Sequence, residues 1–135
     1  MAFLLDTGPF AMVLVDSGRF LKRVKVLIAA APTLYVSAIS FYEIGQKVRL
    51  GKWDEMAPAV DDLENLAAKS GIEVLPLTAA ISLAASRLDW PHRDPFDRMI
   101  AAAALHEKVP LVSSDAAFDQ LGLERIWERQ VNPGD

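Results

Sequence analysis

Apolar residues along this chain occur in two kinds of stretch, short unbroken runs and longer segments spaced at three or four residues. Ala2-Phe3-Leu4-Leu5, Leu34-Tyr35-Val36, Ile72-Glu73-Val74-Leu75 and Pro110-Leu111-Val112 are runs of the first kind. They read as strands covered on both faces. Glu124-Arg125-Ile126-Trp127 reads as a last edge strand. Helical spacing carries Phe10, Val13 and Leu14, then Leu21, Val24, Ile28 and Ala31 from a start at Arg19, with Ser17-Gly18 as the turn between. It recurs in Phe41, Ile44 and Val48, in Val60, Leu63 and Ala67, and in Ile81, Ala84, Ala85 and Leu88. Pro32 and Gly71 end two of these segments, Thr78 caps another, and Trp53 and Pro58 mark a loop. Strands alternating with helices predict an α/β domain, a parallel sheet with helices on both faces.

The clearest helix start is His92-Arg93-Asp94-Pro95-Phe96-Asp97-Arg98-Met99, which opens into Ile100-Ala101-Ala102-Ala103-Ala104-Leu105. Asp94 is a good N-cap, and Pro95 suits the first helical position, where a missing N–H costs nothing. Asp97 then stands at the third helical position, near the positive end of the helix dipole. In Ser37-Ala38-Ile39-Ser40-Phe41-Tyr42-Glu43-Ile44, Ser40 and Glu43 fit a capping box. That places Glu43 at the third position of the helix after the second strand.

Helix N-termini lie at the C-terminal edge of such a sheet, where ligands bind at the point of reversed strand order. Asp6 directly follows the first strand and Asp115 follows the fourth, while Glu43 and Asp97 start helices at the same edge. Each acid has a plainer explanation alone. Asp94 and Asp115 can serve only as caps, Asp97 can complement the dipole, and Glu43 can pair with Ser40 or with Lys47 four residues on. Four such acids on one edge need a counter-charge or protons. Oxygen donors alone suit a hard ion such as Mg²⁺ or Mn²⁺, which polarises a phosphate oxygen and activates water. The chemistry predicted is phosphodiester hydrolysis.

Composition narrows the choice. The 135 residues suit one domain, 1–135, with 130–135 as a frayed tail. The absence of cysteine excludes disulfides and thiol chemistry, and two histidines, His92 and His106, argue against zinc; neither is assigned to metal. No run approaches the ~20 apolar residues of a membrane span, so the expectation is a cytoplasmic protein without membrane partners. A net charge of −4 argues against a general nucleic-acid binder. A bound cation would invert that sign locally.

Asp6-Thr7, the stretch Val36 to Ile44, the string His92 to Ala101 and Val112-Ser113-Ser114-Asp115 together resemble PIN-domain ribonucleases, and among them the VapC toxins of type II toxin–antitoxin systems. The resemblance implies a three-layer α/β/α fold with a five-stranded parallel sheet in the order 3-2-1-4-5, and Mg²⁺-dependent cleavage of RNA. It places the family's acidic quartet on Asp6, Glu43, Asp97 and Asp115, both as metal ligands and as catalytic groups, with Asp94 accessory. It also implies a small VapB-type antitoxin and a homodimer. Thr7-Gly8-Pro9 departs from the Thr-His-Ala of many relatives, and Tyr42 stands where many carry Trp.

Around these acids, Thr7, Ser37, Ser40 and Ser114 can orient carboxylates, and Arg93, Arg98, Lys47 and Arg49 can meet RNA phosphates. Turn and cap roles suit the hydroxyl residues equally, and for any one of the basic residues an ordinary solvated helix charge is the better reading. A phospho-acceptor domain on a similar sheet would need an acid after the third strand, where Leu75-Pro76-Leu77-Thr78 has none. A catalytically inactive PIN-like module that binds RNA or protein is the remaining alternative.

Overall fold

The N-terminal apolar run forms the centre of the sheet. In the computed structural model, which describes residues 2–15 and 22–127, β1 (Ala2–Leu5) lies between β2 (Thr33–Ser37) and β4 (Leu111–Val112). β3 (Ile72–Leu75) flanks β2 and β5 (Arg125–Ile126) flanks β4, giving five parallel strands in the order 3-2-1-4-5, as expected. Side chains alternate across a strand, so each one feeds two cores. Phe3 and Leu5 point to one face, with Phe10, Val36, Ile44, Met56 and Leu63. Leu4 points to the other, with Ile81, Ile100, Leu111 and Phe118.

The first face is covered by α1 (Thr7–Val15), α2 (Lys22–Ala30), α3 (Ala38–Arg49) and α4 (Leu63–Lys69). The second is covered by α5 (Ala79–Ser86) and α6 (Pro95–Glu107). Ala101, Ala102, Ala103 and Ala104 are all buried, and their small side chains let α6 lie close against its neighbours. Large side chains sealed from water, such as Phe10, Phe118, Leu4 and Ile100, each contribute about 1.5–3 kcal/mol.

Three local expectations are corrected. The capping box does not form: Ser37 is the N-cap of α3, its Oγ accepting the Ile39 N–H at 3.2 Å. The helix therefore starts directly at the end of β2, Ser40 lies inside it, and Glu43 is in its second turn. The expected loop at Trp53 and Pro58 is instead a 3₁₀ helix over Asp54–Asp62, with Pro58 inside. Leu88 lies beyond the end of α5. Other elements follow the expectation, including Thr78 as N-cap of α5 and Gly71, at φ +72°, just after α4. The Ser17-Gly18 turn, the helix start at Arg19 and the tail at 130–135 lie outside the described residues.

Candidate active site

Strand register builds the site. Leu5 is level with Val36 of β2 and Val112 of β4, so Asp6, Ser37 and Ser113 leave three adjacent strands together. The strand order reverses between β1 and β4, which run parallel, and that is the point where open α/β sheets bind ligands. Asp6 is held there by two hydrogen bonds, the Thr7 N–H donating to Oδ1 and the Ser113 hydroxyl donating to Oδ2, both at 2.8 Å. Ser113 Oγ also accepts the Asp115 N–H at 3.0 Å, and Arg125 donates to the Ser113 carbonyl at 3.1 Å. Beneath Asp6, the buried hydroxyls of Thr7 and Ser40 share a hydrogen bond of 2.8 Å.

The charges of Glu43 and Asp97 act on Asp6. Glu43 is 7% exposed, and Lys47, one helical turn on, donates to its Oε2 at 2.7 Å while lying over the Trp53 ring. Asp97 is at the third position of α6, as expected, and His92 Nε2–H donates to its Oδ2 at 2.6 Å. Burial pushes the Asp6 carboxyl up to about 6; the Ser113 and Thr7 hydrogen bonds oppose that rise, and the charges of Asp97 and Glu43 add to it. Asp97 is raised first by burial, with the His92 hydrogen bond opposing and the charges of Asp94 and Glu43 adding. Asp6, Glu43 and Asp97 thus repel one another in a buried setting, the condition in which a cation or a proton is bound.

The other expected site residues take local hydrogen-bonding roles or none. Asp94 is the N-cap of α6, accepting the Phe96 N–H at 2.9 Å. Asp115 is exposed and caps the 3₁₀ helix Ala116–Leu121, accepting the Ala117 N–H at 2.9 Å. Its charge acts on Arg125, and it is not among the groups that shift Asp6 or Asp97. Ser114 is exposed and makes no hydrogen bond among the described residues, so the serine that orients Asp6 is its neighbour Ser113. Only the register, which sets Ser113 level with Asp6, distinguishes the two.

Arg98 has its N–H donors engaged within the chain. Its five N–H donors go to five main-chain carbonyls, those of Ala85, Ser86, Leu88, Trp90 and His92, at 2.7–3.4 Å. It therefore binds the end of α5 and the following loop to α6. Lys47 is engaged with Glu43, while Arg93 is exposed beside the site. Among the described residues, the acid and imidazole groups whose ligand atoms all approach within 4.8 Å are His92, Asp94 and Asp97. Asp6 and Glu43 lie outside that cluster and are linked to Asp97 by the action of their charges. His92, which the sequence places beside the site without assigning it to metal, is part of the cluster.

Comparison with known proteins bears on this geometry. A family model described as the PIN domain matches residues 3–123, a span that includes Asp6, Glu43, Asp97 and Asp115. The chain belongs to the PIN domain family. Solved PIN-like structures share its fold across nearly its whole length. A chain of VapBC2 from Rickettsia felis, solved bound to a promoter DNA fragment, is 16% identical with a TM-score of 0.65, over 95% of this chain and 100% of that one. VapC20 of Mycobacterium tuberculosis, described as a sarcin–ricin loop cleaving toxin, is 16% identical with a TM-score of 0.59, over 93% and 99%. FitAcB from Neisseria gonorrhoeae is 21% identical with a TM-score of 0.59, over 91% and 95%. A sequence comparison with curated proteins gives no match. No helix among the described residues of this PIN domain is long and apolar enough to cross a membrane.

Proposed function

We propose that this PIN domain is a Mg²⁺- or Mn²⁺-dependent endoribonuclease of the VapC type, the toxic member of a type II toxin–antitoxin pair. The observation that carries the proposal is the half-buried Asp6 carboxylate, fixed by Thr7 and Ser113 at the strand-order reversal, with the charges of Glu43 and Asp97 acting on it. Lys47 meets this concentration of negative charge only at Glu43. The donor set is carboxylate oxygen, which fits a hard divalent ion. Such an ion, when bound, supplies polarisation of a phosphoryl oxygen and a lowered pKa for water.

The residues of the chain divide the remaining work. Thr7 and Ser113 fix both oxygens of Asp6, so this ligand is preorganised. Asp97 approaches from α6 and Glu43 from α3. Asp115 is the fourth acid of the proposal, its Oδ1 accepting the Ala117 N–H and its Oδ2 left for the site. Arg93 supplies an exposed cation for the RNA backbone at the same mouth. The whole chain is taken as one domain acting in the cytoplasm. A small VapB-type antitoxin, supported by the VapBC complexes among the similar folds, and self-association as a homodimer complete the reading.

The inactive PIN-like module is the second reading. The Lys47–Glu43 pair at 2.7 Å and the capping role of Asp115 favour it, because both engage acids that catalysis needs. Digestion of total RNA with Mg²⁺ or EDTA, followed by mapping of product ends, separates the two. The ribonuclease reading predicts discrete new ends that disappear with EDTA and in Asp6→Asn. Intact RNA in both conditions supports the binding module.

A further inference from the structure

His92, Trp90 and Arg98 surround Asp97 without a part in the reaction proposed above. The His92 ring lies 4.6 Å from the ring of Trp90. Trp90 is itself buried, its indole N–H donating to Gln120 at 3.0 Å and its ring 5.5 Å from Phe118. Arg98 fixes the main chain on both sides of Pro91, its Nη1 donating to the carbonyls of Trp90 at 2.8 Å and His92 at 2.9 Å. The imidazole is thus held by its face, by its own carbonyl and by its hydrogen bond to Asp97. Arg98 is the residue directly after Asp97, so the loop carrying His92 is tied to the helix turn that carries the acid.

We infer that His92 is a positioning residue: it fixes one oxygen of Asp97 so that the carboxylate keeps a single orientation, and Arg98 holds His92 where it can do so. The inference rests on the ribonuclease reading and deepens it. A carboxylate in the first turn of a helix can swing between rotamers, and each swing moves its oxygens away from a shared ion. A hydrogen bond from imidazole removes that freedom in the way that groups behind metal ligands commonly do. Among the described residues Asp97 has no other hydrogen-bond donor, so nothing else performs this task. Direct ligation by His92 fits the geometry less well. Two ligand atoms on one octahedral ion at ~2.1 Å stand about 3 Å apart. The observed 2.6 Å is the separation of a charge-assisted hydrogen bond.

The test uses the full chain with Mn²⁺ as the probe and three proteins: the wild type, His92→Leu and His92→Gln. Leucine keeps an apolar surface against Trp90 and removes the donor, whereas glutamine keeps an N–H of similar reach. Mn²⁺ affinity is read by electron paramagnetic resonance, nitrogen coupling to the ion by its pulsed form, and cleavage by kcat on RNA. The expected result is a loss of roughly 10- to 100-fold in affinity and kcat for leucine, most of it restored by glutamine. No nitrogen coupling is expected in the wild type. Wild-type behaviour of His92→Leu overturns the inference, and so do equal losses or unfolding in both variants, which assign His92 to packing. Nitrogen coupling overturns it too, by making His92 a ligand. If the wild type neither binds Mn²⁺ nor cleaves RNA, the ribonuclease reading falls first and this role with it.

Discussion

The mouth of α6 and the exit of β4 each place an aspartate before a helix at the same sheet edge, yet the two acids are used differently. At α6 there are two acids, and Asp94 takes the cap. Asp97, not needed as a cap, accepts from His92 and acts by its charge on Asp6. At the exit of β4, Asp115 is itself the cap, and its carboxylate is occupied by the Ala117 N–H. Its backbone N–H meanwhile steadies Ser113, which holds Asp6. An acid at a helix start can serve the helix or the site, and a second acid close by lets the structure do both.

This contrast can be broken most severely at Asp97. Asp97→Asn is expected to reduce RNA cleavage by more than about 100-fold, beyond the usual loss from a supporting group, while circular dichroism shows the fold intact. Undiminished cleavage, with contamination excluded, would place the chemistry elsewhere. Next in size is Arg98→Ala, which strips five carbonyls of their donor. A loss of about 3 kcal/mol in denaturant unfolding is expected, since breaking such a network falls among the larger single-mutation effects.

Asp6 gives a pH test of the same contrast. Its folded pKa of about 6 lies above the ordinary 3.8, so the metal-free folded state holds this proton more tightly than the unfolded chain. The resulting stability is fully present below pH 3.8 and is lost as pH rises through about 6. Metal-free Asp6→Asn is therefore expected to be more stable than the wild type at pH 7 by up to about 3 kcal/mol, with the difference vanishing near pH 4. Thermal melts in EDTA at both pH values measure it. A variant that is less stable at pH 7 would show that Asp6 is not electrostatically strained.

The smallest effect sharpens the comparison. Asp115→Ala is expected to cost about 1 kcal/mol, whereas Asp115→Asn costs almost nothing because asparagine caps equally well. The same asparagine variant then reports the chemistry alone. Reduced cleavage with unchanged stability assigns Asp115 to the acidic site. Unchanged cleavage leaves it as a cap.

Much of this was legible in the chain, for identifiable reasons. Asp94-Pro95 and Thr78 are local signals, decided by backbone groups within three residues, and both caps are where they were expected. The strand runs and their order also held. The capping box failed because Ser37 and Ser40 each precede an acceptable helix, and only the close succession of β2 and α3 decides between them. Ser113 was hidden behind Ser114 because level with Asp6 is a property of register. Arg98 was read as a free cation because its acceptors are carbonyls 6–13 residues away, and carbonyls carry no sequence signature. The acids of the proposed site were therefore nameable from the chain, and the groups that hydrogen-bond to them were not.

The most direct test of the account is calorimetric titration of Mn²⁺ into the metal-free chain at pH 7, for the wild type, Asp6→Asn, Glu43→Gln and Asp97→Asn. The account predicts one saturable binding event in the wild type that each substitution weakens or removes. Binding of equal affinity in all four proteins would contradict it, because the ion would then sit where these three carboxylates are not.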